Sequence, residues 1–289
     1  MSKTVGIIGL GLLGGSLAKA LKAYTDYEVV GYARRQEVCD AAIQDGVVKA
    51  AWTEVEPLIE NSDIVVFSLP PDTNARLFTE TAHLFRPGQV VTDVSSAKEN
   101  FVRAVYSSIP KGTIFVSVHP MAGSEKTGYE NSGSSIIKDA RYIITPTKET
   151  KPEKIEFMKQ FASDVGMRPI VMDYHVHDKS VAAISHVPHL LSTALVHVVS
   201  DNDDEEKHMQ LLAAGCFRDM SRVAASSPEM WEQICLTNSS AISNILEQYI
   251  KMLETIKDNI DKKTPGYVAS LFEMSREYRN SLESRHPEH

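Results

Sequence analysis

Two patterns succeed one another along this 289-residue chain. They predict an α/β protein: an N-terminal doubly wound parallel sheet followed by an all-α domain. Up to residue 172, short apolar runs alternate with helical segments; beyond it, apolar residues recur every three or four positions with no strand-like alternation. A glycine-rich turn between the first apolar run and the first helical segment completes the signal. The expected division is a dinucleotide-binding domain over 1–172 and a helical domain over 173–289.

Val5-Gly6-Ile7-Ile8 reads as the first strand and leads into Gly9-Leu10-Gly11-Leu12-Leu13-Gly14, after which residues 15–21 carry apolar side chains at helical spacing. Gly9 lets the chain turn sharply, Gly11 lets backbone approach a pyrophosphate, and Gly14 lets helix pack on strand. The first helical N–H groups, those of Leu12 and Leu13 among them, and the positive end of the helix dipole then face the anion. A tight structural turn also matches GxGxxG, but the flanking strand and helix supply the context of a Rossmann-type fold. The second strand, 28–32, ends at Ala33-Arg34-Arg35. An acid reading the ribose 2′-OH of NAD is expected there; Arg34 and Arg35 instead suit the extra phosphate of NADP, and NADP is favoured over NAD. The alternative is a pair of solvated surface charges.

Further strands read at 63–69, 89–93, 114–118, 142–145 and 168–172, with a helix over 151–165. Ligands bind beyond the carboxyl ends of such strands, where Ser68, Asp93 to Ser96 and His119 fall. The second part reads as helices over 178–200, 205–225, 228–262 and 266–284, the last two separated by Pro265-Gly266. Ile242, Ile245, Leu246, Tyr249, Ile250, Leu253, Ile256 and Ile260 form one apolar stripe that needs a large partner surface, so a homodimer through the helical domain is expected. The acidic run Asp201 to Glu206 reads as a solvated connection, and no metal site is expected.

Composition is that of an ordinary soluble protein, 43% hydrophobic and 24% charged, with net charge −8. Nucleic acid and anionic membrane are therefore not expected partners, and an anionic substrate must meet a local cluster of arginines. Met1-Ser2-Lys3 leads straight into the first strand, and no stretch of about 18 apolar residues is apparent, so the expected location is cytoplasmic. Cys39, Cys216 and Cys235 make no CxxC and no disulfide framework, and are expected to be reduced.

Four segments concentrate polar groups. Asp93-Val94-Ser95-Ser96-Ala97-Lys98 follows a strand at the ligand edge; Ser95 or Ser96 would alternatively cap the next helix. Ser117-Val118-His119-Pro120 precedes the small-residue loop 121–128, which includes Ser124 and Glu125. The imidazole of His119 is expected to be exposed at the strand end and to titrate near neutrality. Ser185-His186-Val187-Pro188-His189 sets two histidines on one helix face without a carboxylate or cysteine at metal-ligand spacing. Arg218 and Arg222 stand one helical turn apart, a geometry that grips a dicarboxylate or makes surface salt bridges.

In order along the chain, residues 9–21, Asp93-x-Ser-Ser-x-Lys98, His119-Pro-Met-Ala-Gly-Ser-Glu125, Ser185-His-Val-Pro-His189 and Phe217-Arg-Asp-Met-Ser-Arg222 resemble the signatures of the prephenate and arogenate dehydrogenases of tyrosine biosynthesis. The resemblance implies an NAD(P)-dependent oxidative decarboxylation of prephenate to 4-hydroxyphenylpyruvate. In it His119 takes the 4-hydroxyl proton, Ser96 holds that hydroxyl or the histidine, and Arg222 binds a substrate carboxylate. His186 and His189 would line the side-chain end, with Arg218, Ser124 and Glu125 as neighbours. Ser96 and Ser68 would also contact the cofactor beside Gly9, Gly11, Leu12, Leu13, Gly14, Arg34 and Arg35. His189 favours prephenate over arogenate. The chain departs from the common pattern at Ala33, and its helical ending leaves no room for a regulatory ACT domain. A β-hydroxyacid dehydrogenase is disfavoured because Lys179 is followed four residues on by Ala183, not Asn; a non-catalytic dinucleotide sensor would have no use for the polar set at 96, 119, 186, 189 and 222.

Overall fold

The first strand shows how the core is made: Ile7 and Ile8 are both fully buried, but on opposite sides of the sheet. A computed structural model describes residues 3–124 and 126–284. Its strands are β1 (Thr4–Ile8), β2 (Glu28–Tyr32), β3 (Ala50–Trp52), β4 (Ile64–Phe67), β5 (Val90–Asp93), β6 (Ile114–Phe115), β7 (Ser117–Pro120), β8 (Arg141–Thr145) and β9 (Arg168–Val171). Six of them form a parallel sheet in the order β3-β2-β1-β4-β5-β6. The crevice of such a sheet lies where the order reverses, between β1 and β4. Val66 joins Ile7 on one face, while Val65 and Phe67 join Ile8 on the other. Phe67 packs against Phe78, Phe85 and Phe101 with centroids 5.5–6.3 Å away. Each such ring taken from water contributes roughly 1.5–3 kcal/mol.

Helices α1 (Leu12–Tyr24), α2 (Gln36–Gln44), α3 (Glu56–Glu60), α4 (Pro71–Thr81), α5 (Glu99–Ser108), α6 (Ser134–Ile137) and α7 (Pro152–Asp164) connect the strands. Two features differ from the sequence reading. The strand β3 is only Ala-Ala-Trp, too short and too poor in β-branched residues to stand out. The run 114–118 also splits: Val116 N–H still donates to the Val91 carbonyl, but β7 then leaves the parallel sheet. It pairs antiparallel with β8, which runs parallel to β9 in a separate three-stranded sheet.

Beyond β9, Asp173 caps α8 (Tyr174–Val181) by accepting from the N–H groups of His175 and Val176. A π-helical turn over Ala182–His186 joins it to α9 (Val187–Asn202). Pro188 explains the widening, because it lacks an N–H and its ring crowds the carbonyl one turn back. This run, 174–202, is the one helix among the described residues that is long and apolar enough to cross a membrane, contrary to the first reading. Its polar groups are engaged by protein: Ser192 Oγ donates to the Met220 carbonyl, and His186 meets Asn238. The segments read as 205–225 and 228–262 are each interrupted. They comprise α10 (His208–Leu212), α11 (Gly215–Ser221) with a 3₁₀ turn over Arg222–Ala225, α12 (Pro228–Thr237) and α13 (Ser239–Asp261). Asp203 accepts from the N–H groups of Met209 and Gln210, so part of the acidic run is a cap for α10.

The chain divides into two compact units, the first ending at Ile242 and the second beginning at Ser243. The second comprises the rest of α13 and α14 (Tyr267–Ser284), separated at Pro265-Gly266, where Gly266 takes φ +78°. Tyr249, Ile250, Leu253 and Ile260 are 44–57% exposed along α13. Cys39 is buried and Cys216 exposed, and all three cysteines are free.

Candidate active site

The glycine turn fits a pyrophosphate. Gly9 adopts φ +105°, and a Cβ on Gly14 would stand 2.0 Å from the Gly9 carbonyl oxygen, so helix and turn touch backbone to backbone. A Cβ on Gly11 would meet only open space, and α1 begins there with no side-chain cap over its first N–H groups. Ser68, just past β4, holds a buried hydroxyl with no partner among the described residues; its Oγ lies 3.0 Å from where a Gly14 Cβ would be. Uncapped amides, an orphaned hydroxyl and open space are what a phosphate-bearing ligand would satisfy. Arg34 and Arg35 follow β2 on the exposed surface, their guanidinium groups with no hydrogen bond or ion pair among the described residues.

A buried polar network ties β7 to the same sheet edge. The carboxylate of Asp93, at the end of β5, accepts from Ser117 Oγ at 2.6 Å, from the Ser95 N–H at 3.0 Å and from Lys98 Nζ at 2.7 Å. Lys98 is wholly buried and also donates to the Val118 carbonyl. Burial lowers its pKa while the adjacent Asp93 pulls it up. Ser95 Oγ accepts from Asn74 Nδ2, so Ser95 is structural and does not cap α5. The cap comes from across the fold: the Asp178 carboxylate accepts from the N–H of Lys98 at 2.9 Å and of Glu99 at 3.0 Å. Ser96, half-buried beside them, makes no hydrogen bond within the described residues.

His119 is not exposed at the strand end; it is 8% exposed, because β8 covers one side of β7 and α8 brings His177 against it. Its Nδ1 lies 2.9 Å from His177 Nε2, and His177 Nδ1 lies 2.8 Å from Asp178 Oδ1. Burial, followed by His177, Lys98 and His186, holds the His119 pKa well below its ordinary value. The expectation of titration near neutrality is therefore corrected: the imidazole is neutral at physiological pH, ready to accept a proton.

His186 is buried, its Nδ1 is 3.1 Å from Asn238 Nδ2, and burial pushes its pKa down to about 4. Half-buried His189 stacks on Trp231 at 3.9 Å, with its Nδ1 2.8 Å from the Ser185 carbonyl. Burial and, less strongly, the Arg222 guanidinium lower its pKa. The influence of His186 on His119, of His189 on His186 and of Arg222 on His189 places all four groups in one electrostatic neighbourhood. Arg218 is exposed on α11, and Ser124 is exposed on its loop, where it accepts from the Lys126 N–H. Glu125 lies outside the described residues. The sequence reading passed over His177, Asp178 and Asn238; the adjacent His-Asp pair was the available signal, but it carried no motif of its own.

A phosphate-accepting glycine turn together with a buried neutral histidine linked to the same sheet edge defines a dinucleotide-dependent oxidoreductase. Residues 17–171 match the family model for the nucleotide-binding domain of prephenate dehydrogenase, and residues 173–274 match the one for its dimerization domain. The chain belongs to the prephenate dehydrogenase family. It is 29% identical to prephenate dehydrogenase of Bacillus subtilis over 99% of this chain and 77% of that protein. It is 28% identical to cyclohexadienyl dehydrogenase of Zymomonas mobilis over 98% and 97% respectively. Among solved structures it resembles A. aeolicus prephenate dehydrogenase in complex with hydroxyphenyl propionate and NAD+, with TM-score 0.90, 28% identity and 98% and 99% of the two chains covered. Synechocystis arogenate dehydrogenase superposes with TM-score 0.81 at 26% identity, over 96% and 99%.

Proposed function

We propose that the chain catalyses the oxidative decarboxylation of prephenate to 4-hydroxyphenylpyruvate. The carrying observation is the neutral, buried His119, whose Nε2 has no partner among the described residues. When bound, a nicotinamide dinucleotide supplies the acceptor for the hydride leaving ring C4. His119 accepts the proton of the 4-hydroxyl as the ring carboxylate departs as CO2, and the unbonded Ser96 hydroxyl orients the same oxygen. Arg222 receives a substrate carboxylate, a charge-assisted bond of roughly 1.5–3 kcal/mol. Ser124 and Arg218, both exposed, belong to the outer binding surface in this reading. His186, whose Nδ1 is taken by Asn238, and His189 line the side-chain end.

Exposed, unpaired Arg34 and Arg35 at the ribose position support NADP over NAD. The apolar stripe of α13, exposed at Tyr249, Ile250, Leu253 and Ile260, supports a homodimer; a cytoplasmic location and a domain boundary at 172/173 complete the reading. Arogenate, with an amino group replacing the keto group, is the second reading, favoured by the likeness to the Synechocystis enzyme. Reduction followed at 340 nm with prephenate and arogenate, each with NAD and NADP, is the test. Prephenate with NADP is expected to give the highest kcat/KM; absence of turnover with both substrates would overturn the enzymatic reading.

A further inference from the structure

The direction of hydrogen bonding around His119 can be read from its partners. Asp178 is an acceptor at every contact: Lys98 and Glu99 donate to it from backbone N–H groups, and His177 Nδ1 approaches Oδ1 at 2.8 Å. His177 Nδ1 therefore carries hydrogen, and in the neutral ring its Nε2 accepts. That nitrogen lies 2.9 Å from His119 Nδ1, which must then be the donor. Only Nε2 of His119 keeps a free lone pair. Desolvation lowers the pKa of both imidazoles, consistent with neutral rings.

We propose that His177 and Asp178 are positioning residues that hold His119 as its Nδ1–H tautomer, so that Nε2 is the proton acceptor of the reaction. The inference rests on the reading of His119 as the base. When Nε2–H forms and the substrate O–H breaks, the positive charge on His119 is shared through Nδ1–H with His177, backed by the Asp178 carboxylate. The surrounding charges suit this step. Lys98 is ion-paired with Asp93 at 2.7 Å and feels Asp178 only at longer range, and among the described residues no lysine or arginine is ion-paired to Asp178, so these three groups carry one negative charge in excess when the imidazoles are neutral. Tyr142 of β8, whose pKa is raised by burial and by Asp93, and His186 are further titratable neighbours; the Nδ1 of His186 is occupied by Asn238 Nδ2, which also donates to the Asp178 carbonyl.

Asp178→Asn is the decisive variant. Its amide oxygen can still cap α5, but its NH2 would donate to His177 Nδ1, reverse both imidazoles and put hydrogen on His119 Nε2. The expected result is a fall in kcat of about 100-fold or more with KM changed less than about threefold. The ¹⁵N shifts of His119 should report hydrogen on Nδ1 in the parent and on Nε2 in Asp178→Asn. His177→Gln, whose amide can accept from His119 and donate to Asp178, should retain at least about tenfold more kcat than His177→Leu, and this pair decides the matter if Asp178→Asn fails to fold. A parent His119 protonated on Nε2, or equal kcat in the two His177 variants, would overturn the proposal. Correct tautomers in a parent that turns over neither substrate would instead overturn the function proposed above while leaving the hydrogen-bond direction intact.

Discussion

His186 makes the folded protein sensitive to mild acid in a way that one substitution should remove. It accepts from Asn238, and burial pushes its pKa down to about 4, from 6.5 for a free imidazole. Between those values the unfolded chain binds a proton that the folded chain refuses. Stability from this group is thus fully present above pH 6.5 and is lost as pH falls toward 4. Going from about pH 7.5 to about pH 4.5, one such histidine subtracts roughly 2.5 kcal/mol, from 1.36 kcal/mol per decade of proton activity over nearly two decades. Carboxylates add their own loss, so the informative quantity is the difference between parent and His186→Gln, whose amide oxygen can still accept from Asn238. Urea unfolding of both proteins across that pH range should show the parent losing about 2.5 kcal/mol more than the variant. Parallel stability curves would refute the assignment of a buried, neutral His186.

Three further outcomes follow from named contacts. Lys98→Met leaves the Asp93 carboxylate buried without its cation, and should lower unfolding free energy by about 3 kcal/mol in denaturant titration. Gly14→Ala places a methyl 2.0 Å from the Gly9 carbonyl, forcing helix from turn; dinucleotide affinity measured by fluorescence titration should fall more than about tenfold. Arg34→Gln with Arg35→Gln should lower the NADP to NAD ratio of kcat/KM by about tenfold or more, with the NAD value nearly unchanged.

The parts of this fold that were legible from sequence are those with a strong period or an obligatory residue. Fully buried strands such as Ile64–Phe67 are continuous apolar runs, because both faces of a parallel sheet are covered. Gly9, Gly11 and Gly14 were readable because a side chain at 9 or 14 has no place to go. The departure of β7 from the parallel sheet was not legible: Ile114 to Val118 alternates and buries like one strand, and only pairing with β8, more than twenty residues later, separates Phe115 from Ser117. The burial of His119 escaped for a related reason. Pro120 marks a strand end, and the covering imidazole comes from residue 177, on an element whose docking no local pattern encodes.

Asp178 shows why the first compact unit extends to Ile242 and does not stop where the sheet ends. Its carboxylate closes the N-terminus of α5 in the nucleotide-binding part, and its own carbonyl accepts from Asn238 at the junction of α12 and α13. The same Asn238 amide reaches His186 on the π-helical turn. These groups are buried, so each bond lost would leave an unsatisfied polar atom at a cost of about 1–3 kcal/mol. The network that orients His119 is therefore also a seam between sheet and helices. Truncating Asp178 to alanine would remove the orientation of the base and the attachment of α8 to α5 together, whereas Asp178→Asn keeps the cap while reversing the hydrogen bonds and so separates chemistry from folding.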